Sequence, residues 1–219
     1  YGYYWEERNI SQFSIPEESD TDIFVDSKNI LKKLFGLGNG IAAKIKPLIP
    51  FFPRAVFSKD LVHRIKKENS VLMIRPEPQT GSGVLALIFA KKIIKIQKTL
   101  TVLFMNNAHS ASNLPNNPKA YKKMIKGFDL IYVPIKSHLF FPSLCGEILL
   151  SLQHKFDLKK YKFNFCMYFV DCFNALKEKK SFKEYDELKN AFNYQLKKLG
   201  YIDYIKFYSI ISIKKILPI

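Results

Sequence analysis

Apolar and polar positions alternate along the chain in segments short enough to read as separate elements. Ile23-Phe24-Val25 is a strand-sized apolar run. Over 28–46, Ile30, Leu31, Leu34 and Phe35 fall at helical spacing with Lys32 and Lys33 outside, which predicts a helix. Pro47, Pro50 and Pro53 then predict a loop, because proline cannot continue a helix interior. Ser58 caps a clearer helix that runs to Glu68, with Leu61, Val62 and Ile65 on one face. Ser70 to Ile74 reads as a buried strand, Arg75 to Gly83 as a loop rich in Pro and Gly, and Val84 to Ile94 as a second helix. Thr99 to Met105 reads as a second buried strand, Asn106 to Pro118 as a polar loop, Lys119 to Lys126 as a short basic helix and Asp129 to Val133 as a third strand. Beyond Phe141, Glu147–His154 and Ser181–Leu199 read as helices, and Phe163–Val170 and Phe207–Ile216 as strands.

Strand, loop, helix, strand, loop, helix, strand is the order from Ser70 to Val133. Continuous apolar strands alternating with helices imply an α/β fold, a parallel sheet covered on both faces. The part after Phe141 is expected to be irregular and mainly helical.

Composition narrows the class. The chain has 219 residues, 35 Lys plus Arg against 19 Asp plus Glu, and a formal net charge of +16. At 47% hydrophobic and 15% aromatic it is not a disordered basic tail. Three cysteines, Cys145, Cys166 and Cys172, do not make a disulfide scaffold, and without C-x-x-C spacing they do not suggest a zinc site. No signal peptide and no apolar stretch of bilayer length is visible, so a cytoplasmic setting is expected. The charge favours a polyanion as partner: nucleic acid, an anionic membrane surface or a phosphate-bearing substrate. Lys outnumbers Arg on the predicted helices, whereas base readout prefers the planar Arg fork.

Candidate chemistry follows from where an open α/β sheet binds ligands, beyond the carboxyl ends of its strands. The first such loop holds Arg75, Glu77, Gly81, Ser82 and Gly83. It leads into a helix N-terminus, where free N–H groups favour an anion. It lacks the Lys-Ser/Thr ending of a Walker-type loop. The second holds Asn106, Asn107, His109 and Ser110. Imidazole titrates near neutrality, so His109 is the candidate general base, and the asparagines suit sugar hydroxyls. His63, His138 and His154 read as surface or packing residues. Asp20-Thr21-Asp22 reads as a solvated acidic turn, and Gly36-Leu37-Gly38-Asn39-Gly40 as a helix C-cap and loop. No metal ligands and no cofactor are assigned.

The stretch from Lys59 to Pro142 resembles the N-terminal half of GT-B-fold glycosyltransferases of the family 4 kind, which build bacterial surface polysaccharides. The resemblance rests on Ser70-Val-Leu-Met-Ile-Arg75-Pro76, Gly83-Val-Leu-Ala-Leu-Ile-Phe-Ala-Lys-Lys92, Thr101-Val-Leu-Phe-Met-Asn-Asn-Ala-His109 and Asp129-Leu-Ile-Tyr-Val133-Pro-Ile-Lys-Ser137. Tyr3-Tyr-Trp-Glu-Glu-Arg8 is similar to a segment near the start of such proteins. It implies a Rossmann-like domain over 1–142 and a helical or mixed extension, or truncated second domain, over 143–219. It further implies sugar transfer from a nucleotide-activated donor to a lipid-linked or glycan acceptor, at the inner face of the membrane. His109 would be the catalytic group, with Ser137 joining the two loops in binding substrate. The paired glutamates that hold the nucleotide sugar in the family have no counterpart here. The alternative is a basic, non-enzymatic RNA-binding protein such as an organellar ribosome component.

Overall fold

The computed structural model describes residues 3–6, 9–12, 23–36, 49–50, 55–75, 78–95, 104–106, 125–180 and 183–216. Strands β1 (Tyr3–Glu6), β2 (Asn9–Gln12) and β5 (Phe104–Asn106) form one small sheet in the order β2-β1-β5. β1 pairs antiparallel with β2 and parallel with β5. Strands β3 (Ile23–Val25) and β4 (Ile93–Lys95) make an antiparallel ribbon in which Phe24 faces Ile94.

Seven helices among the described residues carry the fold: α1 (Ser27–Gly36), α2 (Lys59–Asn69), α3 (Pro78–Phe89), α4 (Phe141–Lys155), α5 (Phe165–Glu178), α6 (Tyr185–Leu196) and α7 (Tyr201–Ile216). The expected α/β fold with a Rossmann-like parallel sheet is therefore overturned: the described residues are mainly helical. The correction has local causes. Ser70–Ile74 forms bends instead of a strand, because Ser70 closes α2 at a positive φ of 64° and turns the chain. The expected loop 75–83 is helical from Pro78, which needs no N–H at a first helical position. The helix expected over 84–94 ends at Phe89, and β4 begins at Ile93. Asp129–Val133 forms no strand, since its amides are taken by a side chain described below. Phe163–Val170 and Phe207–Ile216 are helical where strands were expected. Of the strand expected over 99–105, only Phe104 and Met105 are described; the helix expected over 119–126 lies almost wholly outside the described residues. Ile23–Val25 is a strand, the helix opened by Ser58 forms as expected, and both helices read beyond Phe141 are present with altered ends.

Two apolar cores hold these elements. One gathers Ile30, Leu34 and Phe35 of α1, Leu61 and Ile65 of α2, and Val84 to Leu87 of α3. The other gathers Tyr168, Phe169 and Cys172 of α5, Leu188 and Phe192 of α6, and Phe207 and Ile211 of α7. Its rings interlock, with Phe169–Phe192 centroids 5.8 Å apart and Phe192–Phe207 centroids 6.1 Å apart. α4 serves both: Ile148, Leu149 and Leu152 enter the first core, Leu144 and Leu150 the second. Residues 142–150 are all buried, as expected of a helix that is apolar all round.

Candidate functional surface

The residues singled out as a site are not gathered by the described part of the fold. Arg75 is exposed, and Ser137 is half-buried with its carbonyl accepting from Phe140 N at 3.2 Å. Gly81, Ser82 and Gly83 are buried in α3. A Cβ on Gly81 would stand 2.7 Å from Ile74 Cβ, so this glycine admits a protein segment and not a ligand. Ser82 Oγ donates to the Gln79 carbonyl of its own helix at 3.0 Å. Asn106 ends β5, while Glu77, Asn107, His109 and Ser110 lie outside the described residues, as do Asp20 and Asp22. His63 and His154 are exposed, and His138 Nε2 sits 2.6 Å from the Phe128 carbonyl, in keeping with surface and packing roles. Among the described residues, no three His, Cys, Asp or Glu side chains gather where a metal ion could bind.

Two buried polar groups escaped the sequence reading. Glu147, in the middle of α4, is 2% exposed. Its Oε1 accepts from the amides of Ile131 (2.8 Å) and Tyr132 (3.1 Å), and its Oε2 from Tyr132 (2.8 Å) and Val133 (3.0 Å). The carboxylate thus replaces a strand neighbour for three successive N–H groups. The Lys136 ammonium also donates to the Ile131 carbonyl. The second group is a buried polar cluster beside the aromatic core. Ser143 Oγ and the Tyr168 hydroxyl lie 2.9 Å apart, with Cys172 hydrogen-bonded alongside. Burial pushes both the Tyr168 phenol and the Cys172 thiol up from their ordinary values. These three side chains are fully enclosed, so they brace α4 against α5 and meet no substrate from solvent.

The exposed chemistry is cationic and aromatic. Lys28, Lys32 and Lys33 stand out from α1, Lys66 and Lys67 from α2, and Lys177, Lys180 and Lys183 from the region after α5 begins to end. At the far end of the molecule's sequence, Lys197 and Lys198 occupy the turn between α6 and α7, and Lys206 projects from α7. Here Lys198 Nζ lies over the Tyr194 ring at 4.1 Å from its centroid. The Lys198 hydrogen bond, and then its charge, lower the exposed Tyr194 phenol from its ordinary value. Tyr201, Ile202, Ile205 and Tyr208 are exposed beside these lysines, by 79%, 66%, 46% and 45%. Sequence reasoning missed this face because 200–206 was assigned to no element and 207–216 was expected to be a strand. The spacing of Tyr201, Ile205 and Tyr208 carried the signal.

Comparison with models of protein families, with curated proteins and with solved structures finds no match for this chain. No described helix is long and apolar enough to cross a membrane.

Proposed function

We propose that this protein is a peripheral protein that binds the anionic surface of a membrane. The observation that carries the reading is the outward placement of its lysines, on α1, α2 and α5–α7 alike, in a chain of net charge +16. A lysine near an anionic leaflet contributes about 1 kcal/mol, within roughly a Debye length of the surface. Several acting together give reversible binding with no need for a cavity. The preponderance of Lys over Arg supports lipid headgroups over base edges, since an ammonium is a point charge without the bidentate fork.

Sugar transfer from a nucleotide-activated donor is not carried forward. It was implied by a resemblance whose scaffold, a parallel Rossmann-like sheet, the fold replaces with helices. The glycine turn meant for a phosphate is likewise helix interior.

Sedimentation with lipid vesicles tests the proposal. The chain should pellet with phosphatidylcholine vesicles that contain phosphatidylserine, stay in the supernatant with pure phosphatidylcholine vesicles, and dissociate progressively as salt is raised. Equal binding to neutral and anionic vesicles, or binding to neither, would overturn it. Salt-sensitive binding to RNA without vesicle binding would transfer the lysines to the nucleic-acid reading.

A further inference from the structure

The fold leaves the outer face of α7 uncovered. At about 100° per residue, Tyr201, Ile202, Ile205 and Tyr208 fall within about 120° of helical arc. Phe207 and Ile211 lie on the opposite side, buried in the core with α5 and α6. A helix on the surface of a protein ordinarily turns charge away from the core. Here the first two turns of the outward face are apolar and aromatic, with Ser209 and Ser212 following on the same arc. Its described charges are marginal: Lys206 on one flank, Lys197 and Lys198 in the preceding turn. Asp203 is half-buried, close enough to Cys166 to help raise its thiol, so it faces the protein and not this stripe. Single exposed apolar residues are ordinary, but four grouped on two successive turns mark an interaction site.

We infer that α7 is an interfacial anchor. It lies in the plane of an anionic bilayer with the stripe sunk to the boundary between headgroups and acyl chains, and with Lys197, Lys198 and Lys206 among the phosphates. This inference rests on the peripheral membrane reading above and adds the element, its orientation and an apolar contribution that salt does not screen. Amphipathic Tyr and Lys side chains belong at this depth, because each offers an apolar body with a polar tip. At 16 residues the helix is about 24 Å long and suits a surface.

Three observations select lipid among possible occupants. Ile202 and Ile205 gain from hydrocarbon and offer a nucleobase no stacking surface. The Tyr208 ring is already packed on Tyr204 at 4.8 Å and on Phe207 at 5.2 Å, which leaves Tyr201 as the one open ring among the four stripe residues. A second copy of the chain is disfavoured by charge. A two-fold interface on this face would set Lys197, Lys198 and Lys206 against the same residues of a partner that also carries +16.

The test uses the full chain and phosphatidylcholine vesicles with and without phosphatidylserine. The double variant Ile202→Asn/Ile205→Asn alters exposed positions, so its thermal midpoint should match that of the parent. Its affinity for anionic vesicles should fall about tenfold or more, and the residual binding of the parent at high salt should vanish. Ile205→Trp should bind more tightly. Compared with the parent, whose single tryptophan is Trp5, its emission should shift to the blue and be quenched by bromines placed high on the acyl chains. Unchanged affinity and salt response in the double variant, or an unquenched introduced tryptophan, would overturn the assignment of α7 while leaving the peripheral reading intact. Failure of the parent to bind anionic vesicles would overturn both. Self-association of the parent that the double variant abolishes would overturn the lipid assignment and give the face to a second copy.

Discussion

A carboxylate taken out of water is costly unless hydrogen bonds replace the lost solvation. Glu147 meets that condition through the successive amides of Ile131, Tyr132 and Val133. Glu147→Gln keeps the shape but turns one acceptor into a donor that faces an N–H group. It should lower unfolding free energy by about 3 kcal/mol, read from urea denaturation, with faster hydrogen exchange at those three amides. Gly81 is fixed by sterics in the same strict way. Gly81→Ala should destabilise by about 1–3 kcal/mol despite the better helix propensity of alanine, because the methyl group meets Ile74 at 2.7 Å. Tyr168 and Cys172 carry a pH signature. Burial raises both above ordinary values of 10.0 and 9.0, so the unfolded chain loses these protons first. Their contribution is intact below about pH 9 and is lost as pH rises beyond it. The thermal midpoint should fall steeply above about pH 9, and less so in Tyr168→Phe, which has no phenol to ionise. None of these roles was legible from residue type. Glu147 read as one more acid at the start of a helix, since its partners are backbone groups that carry no sequence mark.

Among the elements, legibility followed amphipathicity. The α2 helix was readable because Ser58 accepts from Leu61 N at 3.2 Å and the apolar positions keep to one face. The first part of α5 and the later part of α7 were expected to be strands because their aromatic and β-branched runs fit a strand as well as a buried helix. Packing decided, since Phe169 and Phe207 reach the same core partner, Phe192, from two helices. Asn164 was the overlooked marker. Its Oδ1 accepts from Met167 N at 3.1 Å to start α5, and its Nδ2 donates to the Gly36 carbonyl at 3.0 Å at the end of α1. Its own amide reaches the Phe35 carbonyl at 3.0 Å. Asn164→Ala should therefore cost about 1–3 kcal/mol, more than loss of the cap alone, and Asn164→Asp should restore only the cap; chemical denaturation of the pair measures both.

For the whole molecule, the composition pointed correctly to a real apolar core and said nothing of how it is divided. The sequence order from Ser70 to Val133 suggested layers around a sheet, yet two of its three expected strands are not strands. Of the expected site, Gly81, Ser82 and Gly83 are helix interior and Asn106 ends a strand, while Glu77, Asn107, His109 and Ser110 lie outside the described residues. What was readable at this scale was charge, and the lysine-bearing faces keep that reading within the peripheral membrane proposal. The architecture also sets a timetable. The side chains of α1, α2 and α3 cannot be enclosed until Ile148 and Leu149 of α4 arrive, and Phe35 waits for Tyr161, 5.9 Å from it between ring centroids in the finished fold. A nascent chain emerges from its first residue onward, so its early helices leave the ribosome with their apolar faces open. They stay so while the intervening stretch is translated, a window in which chaperones would be engaged and aggregation would compete.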